Sequence, residues 1–232
     1  MNYIGIIGAM DEEVAQLIAA MEDVKKTTIA GMDFYDGILW DKKAVVVMSG
    51  IGKVNMAACT QILASVYGVD ALINTGVAGG LYGLINIGDI VLSEDALQHD
   101  MDATGFGYEL GVIPRMEQSI FKGDPVLIEK AKAACEKVNP EISVYVGRVV
   151  SGDQFISSDD VKKHLIDTFG GYCAEMEGAS MAQVAYLNNI PFVVVRAISD
   201  KADHSAEMNY AEFEHAAIVH TVKLLEEMFK NL

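Results

Sequence analysis

The sequence predicts a single α/β domain spanning residues 1–232. Runs rich in Val and Ile alternate with segments of helical period, a pattern typical of βαβ units. The chain holds only four prolines, and no Ser-, Pro- or Gly-rich stretch interrupts the alternation. A linker between two domains is therefore not expected.

The first half of the chain is predicted to contain a strand followed by a helix, then a pair of strands, and then a helix followed by a strand. Tyr3–Gly8 is an apolar run with the length of a buried strand. A helix should follow over Asp11–Met21, because its acidic start suits the positive end of the helix dipole. The other predicted elements are strands at Met32–Leu39 and Lys43–Met48 joined by a turn at Trp40–Lys42, a helix at Val54–Tyr67 after the Gly50–Gly52 turn, and a strand at Ala71–Asn74.

The second half continues the alternation after one irregular stretch. Pro191–Ile198 (PFVVVRAI) is the clearest buried strand, and the small, apolar residues of Met176–Asn188 predict a buried helix. Gln98–Lys122 has no clean period, and a loop of that length is usually functional or part of an interface. Further strands are predicted at Ile90–Asp95, Ser143–Ser151 and Tyr172–Ala174, and further helices at Asp124–Val138, Ser158–Thr168 and Tyr210–Phe229.

Charge and cysteine content narrow the class of partner. The 17 basic and 33 acidic side chains give a net charge of −16, which disfavours nucleic acid and favours a small uncharged or cationic ligand. Three separated cysteines form no CxxC pair, so neither a disulfide framework nor a structural zinc site is expected. The first residues lack the basic start and the long apolar core that would predict a signal peptide, and no stretch approaches the about 18 apolar residues of a membrane span. We expect a cytoplasmic protein without a membrane contact.

The sequence does not match several common motifs for binding phosphate, dinucleotides or metals, or for a serine nucleophile. Ser49–Lys53 (SGIGK) lacks the upstream glycine and the following Ser or Thr of a phosphate loop, and Gly76–Gly80 (GVAGG) does not match the dinucleotide fingerprint. No histidines have metal-ligand spacing, and no GxSxG serine elbow is present. His99–Asp102 (HDMD) could hold a cation, although a solvated loop explains it more simply.

Four polar, glycine-containing patches follow predicted strands. They are Gly8–Glu13, Asn74–Gly80, Ala174–Ala179 and Arg196–Asp200. Ligands of such sheets bind outside the carboxyl ends of the strands, so these patches predict one site. Their carboxylates suit glycosidic hydrolysis, in which one carboxylate activates water and a second acidic group protonates the leaving base. Glycine-rich backbone would let a sugar approach closely.

Six motifs carry a resemblance over essentially the whole chain. GIIGAMDEEV, SGIGKVNMA, NTGVAGG, SGDQFI, AEMEGAS and PFVVVRAISD occur in the order found in the 5′-methylthioadenosine/S-adenosylhomocysteine nucleosidases. The resemblance implies a nucleoside phosphorylase-like fold, with three αβα layers around a twisted mixed sheet, working as a homodimer. It also implies hydrolysis of the two named nucleosides, and of 5′-deoxyadenosine, in methionine salvage. No cofactor and no metal are implied.

The resemblance assigns roles to individual residues. Glu13 would activate water, and Asp200, positioned by Ser199, would protonate adenine at N7. Arg196 would help to hold the water and the carboxylates. The other implied substrate-binding residues are Glu177 with the Met176 backbone at the ribose hydroxyls and Glu175 nearby, Phe155 and Ile156 at adenine, Met10, Ile51 and Tyr210 at the alkylthio group, and Ala78 and Gly79.

The irregular loop also acquires a role from the resemblance. Phe106, Tyr108 and Pro114 would reach across a dimer into the partner's site. Two positions depart from the family pattern: Val77 replaces a serine found in some members, and Tyr210 replaces a phenylalanine. Both departures bear on which 5′ substituent is preferred.

Without the resemblance, these residues keep structural interpretations. Glu13 could simply serve the helix dipole, and Asp200 could cap a turn. Glu175 and Glu177 would be costly beside a buried helix unless paired. Arg196 in a buried strand needs a carboxylate partner, for which Glu13 and Glu177 are the candidates.

Three other functions compete with hydrolysis. A phosphorylase on the same fold needs cationic groups for phosphate, and the chain has only Arg115, Arg148 and Arg196. Cleavage of aminodeoxyfutalosine in menaquinone synthesis is a related activity that the sequence leaves open. A non-catalytic nucleoside sensor would have no need of a water-activating carboxylate.

Overall fold

One mixed sheet of ten strands organises the fold. The computed structural model describes the backbone of residues 1–232 and the side chains of all but residues 207–212, 214 and 215. The strands are β1 Tyr3–Gly8, β2 Met21–Ile29, β3 Met32–Leu39, β4 Lys42–Met48, β5 Ala71–Gly80, β6 Ile90–Gln98, β7 Phe121–Lys122, β8 Val144–Ser151, β9 Cys173–Glu175 and β10 Phe192–Asp200. The helices are α1 Asp11–Ala19, α2 Lys53–Ile62, α3 Pro125–Val138, α4 Asp159–Phe169, α5 Gly178–Asn188 and α6 Ala206–Phe229.

Alternation of side chains along the strands produces the predicted three layers. In β1, Ile4 and Ile6 belong to a buried cluster with residues of α1, α3 and α6, whereas Ile7 belongs to a second cluster with residues of α2 and α5. Successive strand residues point to opposite faces of a sheet, so β1 can serve both clusters only because both faces are covered. None of the described helices is long and apolar enough to cross a membrane.

The topology brings several strand ends to one place. β1 lies parallel between β4 and β5, and β5 continues parallel to β10. β10 then pairs with β6, β6 with β8, and β8 with β9. The end of β5 extends beyond β1 and pairs with β9 at Gly79 and Gly80, which closes this part of the sheet into a ring. The carboxyl ends of β1, β5, β9 and β10 therefore surround one region.

The strand β2 was not predicted. Its sequence, MEDVKKTTI, is largely exposed and pairs only with β3 at the end of the strand order. Charged residues are typical of edge strands, because they discourage pairing with other molecules, and they erase the apolar alternation. The preceding helix consequently ends at Ala19 rather than at the predicted Met21.

Several predicted boundaries also move. The predicted helix Val54–Tyr67 begins at Lys53, and its last turn, Leu63–Tyr67, is a π-helix. The strand predicted to end at Asn74 runs on to Gly80, since its glycine-rich end pairs with β9 and β10. The irregular stretch holds a short 3₁₀ turn at Thr104–Phe106 before β7.

Candidate active site

A cavity opens at the carboxyl ends of β1, β5, β9 and β10. Except for Tyr210, which lies outside the described residues, every residue predicted to bind substrate within the subunit lines this cavity. The predicted lining residues are Met10, Glu13, Ile51, Ala78, Gly79, Phe155, Ile156, Glu175, Met176, Glu177, Arg196, Ser199 and Asp200, and they are joined by Ala9, Val77, Gln154, Ala174 and Ala202.

Glu13 is held by backbone amides at the start of α1. One carboxylate oxygen accepts the N–H groups of Ala9 at 2.6 Å and Met10 at 3.1 Å, and the other accepts that of Val77 at 3.1 Å. Burial raises the pKa of Glu13, although Arg196 and the three N–H groups act in the opposite direction. A carboxylate that is fixed in this way and has an elevated pKa suits a general base.

Glycine at position 76 leaves room for this arrangement. A Cβ atom there would collide with Nη1 of Arg196 and with Oε1 of Glu13. The strand β5 therefore passes directly beside both groups because it lacks a side chain at this point.

Arg196 is fully buried, and its main partner is Glu175. Its Nη2 forms a short ion pair with Glu175 and donates to Oδ1 of Asn74 at 2.6 Å. Oε2 of Glu177 lies farther away, at 3.6 Å. The sequence had left Glu13 and Glu177 as candidate partners; the ion pair with Glu177 confirms one of them, and the structure adds Glu175 as the nearer partner, which the sequence did not indicate.

Glu175 is saturated by its neighbours. Besides Arg196, it accepts the hydroxyl of Ser151 and the backbone N–H groups of Glu177 at 3.1 Å and Gly178 at 2.7 Å. Few lone pairs remain for a ligand. Glu175 is therefore suited to orienting Arg196 and the start of α5.

Glu177 has more freedom. Its Oε1 accepts the N–H of Gly52 at 2.8 Å, and its carboxylate lines the cavity. Burial and the charge of Glu175 raise the pKa of Glu177 to about 7, against the attraction of Arg196. The group can accept or donate hydrogen bonds near neutral pH, as binding of hydroxyl groups requires.

Asp200 ends β10, where the pairing with β5 is irregular. Its Oδ2 accepts the hydroxyl of Ser199 at 2.9 Å, and its Oδ1 accepts the N–H of Ala202 at 2.7 Å. Burial raises the pKa of Asp200. A protonated fraction near neutral pH is what a general acid needs.

Apolar side chains form the outer part of the cavity. Phe155 is 49% exposed and Ile51 is 53% exposed, so both side chains lie at the rim of the cavity and face solvent, whereas Ile156 is buried. Half-exposed aromatic and aliphatic side chains beside a cavity can cover a flat ligand.

The loop residues assigned to a partner's site lie away from this cavity. Phe106 is 87% exposed and Tyr108 is 36% exposed, and Pro114 is half-buried. Among the described lining residues, none comes from this loop. Their assignment across a dimer remains a prediction.

Two buried polar residues of the site were quoted in motifs without a predicted role. Asn74 donates to the carbonyl of Ile7 at 2.9 Å and accepts from Arg196, and Ser151 bridges Glu175 and the N–H of Ala179. Ser151 ends β8, and Asn74 ends the apolar part of β5, and a polar residue directly after an apolar run could have signalled a polar partner. In the described part of the chain, no group of three or more His, Cys, Asp or Glu could hold a metal ion.

Comparison with known proteins identifies the family. The family model of the phosphorylase superfamily matches residues 3–230. The 5′-methylthioadenosine/S-adenosylhomocysteine nucleosidase of Staphylococcus aureus (strain JH9) is 42% identical over 230 residues, covering 99% of this chain and 100% of that protein.

Two solved structures extend the likeness to the fold. The nucleosidase of the same kind from Colwellia psychrerythraea 34H, in complex with adenine, has a TM-score of 0.95 and 37% identity, with 99% and 95% of the two chains covered. The futalosine hydrolase of Helicobacter pylori strain 26695 has a TM-score of 0.94 and 32% identity, with 100% and 98% covered. The chain belongs to the phosphorylase superfamily and, within it, to the family of the 5′-methylthioadenosine/S-adenosylhomocysteine nucleosidases.

Proposed function

We propose that the protein hydrolyses the N-glycosidic bond of 5′-methylthioadenosine, S-adenosylhomocysteine and 5′-deoxyadenosine, releasing adenine. One observation favours water over phosphate as the nucleophile. Among the described residues that line the cavity, Arg196 is the one cationic side chain, and Glu175 already neutralises it. A phosphate ion would meet Glu13 and Glu177 without a compensating cation.

The proposed reaction uses two carboxyl groups with raised pKa values. Glu13 takes a proton from water, whose oxygen bonds to C1′ as the bond from C1′ to N9 breaks. Asp200 gives a proton to N7, so that adenine leaves as a neutral molecule. The hydrogen bonds from Ala9, Met10 and Val77 hold Glu13 in place, and those from Ser199 and Ala202 hold Asp200.

The same proposal assigns the binding groups. Glu177 binds the ribose hydroxyls beside the Met176 backbone, Phe155 stacks on adenine, and the Ile156 backbone contacts its edge. Met10, Ile51 and Tyr210 surround the 5′ substituent.

We also propose a homodimer in which Phe106, Tyr108 and Pro114 complete the partner's cavity. The exposure of Phe106 supports this assignment, because covering a large apolar side chain with a second protein surface is energetically favourable. Sedimentation of the purified protein tests the assembly, and F106A should weaken it.

The three cysteines are free and buried, which fits work in a reducing cytoplasm, where the product would enter methionine salvage.

The decisive experiment is adenine release from 5′-methylthioadenosine in phosphate-free buffer. We expect free adenine and methylthioribose, at a rate that added phosphate does not change. E13Q should abolish release, whereas E12Q, at the exposed neighbouring carboxylate, should retain it. Release only with phosphate would make the protein a phosphorylase and remove Glu13 from its role.

As a second candidate function, we propose cleavage of aminodeoxyfutalosine, because one similar structure is that of a futalosine hydrolase. Parallel assays with both compounds would rank them by kcat/KM. A preference for aminodeoxyfutalosine would transfer the main role to quinone synthesis without changing the assigned chemistry.

A further inference from the structure

The side chain of Lys53, the lysine of the SGIGK segment, is held by two polar side chains. Lys53 begins α2 directly after Gly52, and its side chain is only 18% exposed, so its charge needs a partner. Its ammonium donates to Oδ1 of Asp100 at 2.5 Å and to Oε1 of Gln98 at 3.0 Å. The cation that the HDMD segment holds is therefore the ammonium of Lys53.

Asp153 closes this contact into a ring. The second oxygen of Asp100 accepts the N–H of Asp153 at 3.0 Å. In turn, Oδ1 of Asp153 accepts the backbone N–H of Lys53 at 2.8 Å. Lys53, Asp100 and Asp153, which we call the loop clamp, thus join three segments that are distant in sequence.

The loop clamp is connected to two groups of residues that line the cavity. Gly52, next to Lys53, donates its N–H to Glu177, the carboxylate assigned to the ribose. Asp153 lies just before Phe155 and Ile156, the residues assigned to adenine. The carbonyl of Lys53 also accepts the hydroxyl of Ser180 at 2.6 Å, which ties the ring to the first turn of α5.

We propose that the loop clamp sets the spacing between Glu177 and the segment that carries Phe155 and Ile156, with Lys53 as a positioning residue for nucleoside binding. The inference rests on the proposed function. In the described structure, neither Glu13 nor Asp200 shares a hydrogen bond with the clamp: Glu13 is held by backbone amides of the turn after β1 and of β5, and Asp200 by the Ser199 hydroxyl and the Ala202 amide. Loss of the clamp therefore weakens binding of the nucleoside more than it slows the chemical step.

The test uses K53M and D100N, which remove the ion pair and keep side chains of similar length. Loss of a hydrogen bond between charged groups should weaken the positioning of the nucleoside-binding residues. We therefore expect KM for 5′-methylthioadenosine to rise about tenfold, with kcat changed less than about threefold. K53R keeps the charge and should recover much of the affinity.

D95N is the matched control. It breaks the ion pair between Asp95 and Arg148, in which Oδ1 and Nε lie 2.6 Å apart. This pair is shielded from solvent to a similar degree as that of Lys53 and Asp100, and neither of its residues lines the cavity. This variant should lower the melting temperature without raising KM. A KM in K53M and D100N that stays within about twofold of the wild-type value, or that D95N raises equally, would overturn the proposal.

Calorimetric titration with adenine separates this inference from the proposed function, because it needs no turnover. Tenfold weaker adenine binding in K53M and D100N supports the clamp even if the wild-type protein leaves methylthioadenosine intact. Normal adenine binding together with a normal KM would refute the clamp while hydrolysis stands.

Discussion

Substitution of Glu177 by Gln should stabilise the protein above neutral pH while it weakens nucleoside binding. The carboxyl group is buried, lies close to the saturated carboxylate of Glu175, and is 3.6 Å from the guanidinium of Arg196. Burial and the charge of Glu175 raise its pKa from 4.5 to about 7. A raised pKa means that the folded state disfavours the ionised form.

The magnitude follows from proton linkage. Below pH 4.5 the carboxyl group is neutral in both the folded and the unfolded chain. As the pH rises to about 7, the unfolded chain releases the proton and the folded chain keeps it, so the free energy of unfolding falls by about 1.4 kcal/mol per pH unit. The loss reaches about 3 kcal/mol and persists above pH 7. E177Q removes the charge and keeps an acceptor for the N–H of Gly52.

Urea unfolding at pH 5 and pH 8 measures this difference. We expect E177Q to exceed the wild-type free energy of unfolding by about 3 kcal/mol at pH 8 and by less than about 1 kcal/mol at pH 5. E227Q is a control of opposite sign, because Lys137 and Lys230 lower the pKa of Glu227. Its substitution should cost stability at pH 8. If E177Q is no more stable than the wild type at pH 8, the attraction of Arg196 outweighs burial and the reasoning fails.

Three further predictions concern the reaction itself. D200N should lose about 10²–10⁴-fold in kcat, because it removes the proposed acid, and should still bind nucleoside in a calorimetric titration. G76A should lose both activity and melting temperature, because its Cβ collides with Arg196 and Glu13, whereas G83A meets no atom within 4 Å and should retain both. The pH profile of kcat/KM should be bell-shaped: activity rises as Glu13 ionises and falls as Asp200 loses its proton, with both pKa values above the usual carboxyl range.

Each of these predictions can fail in a specific way. Near-normal turnover of D200N would remove the acid assignment. An active G76A enzyme would show that the strand can shift and that the close approach is not required. A profile that keeps its acid limb in E13Q would assign that limb to another carboxylate.

The strand–helix alternation was predictable because it depends on neighbours in sequence. The apolar runs around Tyr3–Gly8 and Pro191–Ile198 became β1 and β10, since an uninterrupted apolar run is stable only when both faces are covered. The exposed edge strand β2 was missed, because pairing with β3 and not its own pattern makes it a strand.

The site was predictable as a set of residues but not as a set of contacts. The motifs contained all the described residues that were assigned to the substrate within the subunit, and the fold brings these residues to one cavity. They did not show that Arg196 pairs with Glu175, nor that Ser151 and two backbone amides complete that carboxylate. Such contacts depend on which strand ends meet, which the register of the sheet decides.

By itself, the sequence determined the order of the helices and of the strands other than β2 and β7, the four polar strand ends and the family. Only the tertiary structure decided the closure of β9 onto β5, the partner of Arg196 and the ring of Lys53, Asp100 and Asp153. The physical reason is range. Periodicity reports the burial of each residue relative to its neighbours, whereas hydrogen bonds between residues 47 or 100 positions apart form only when packing of the whole sheet brings their loops together.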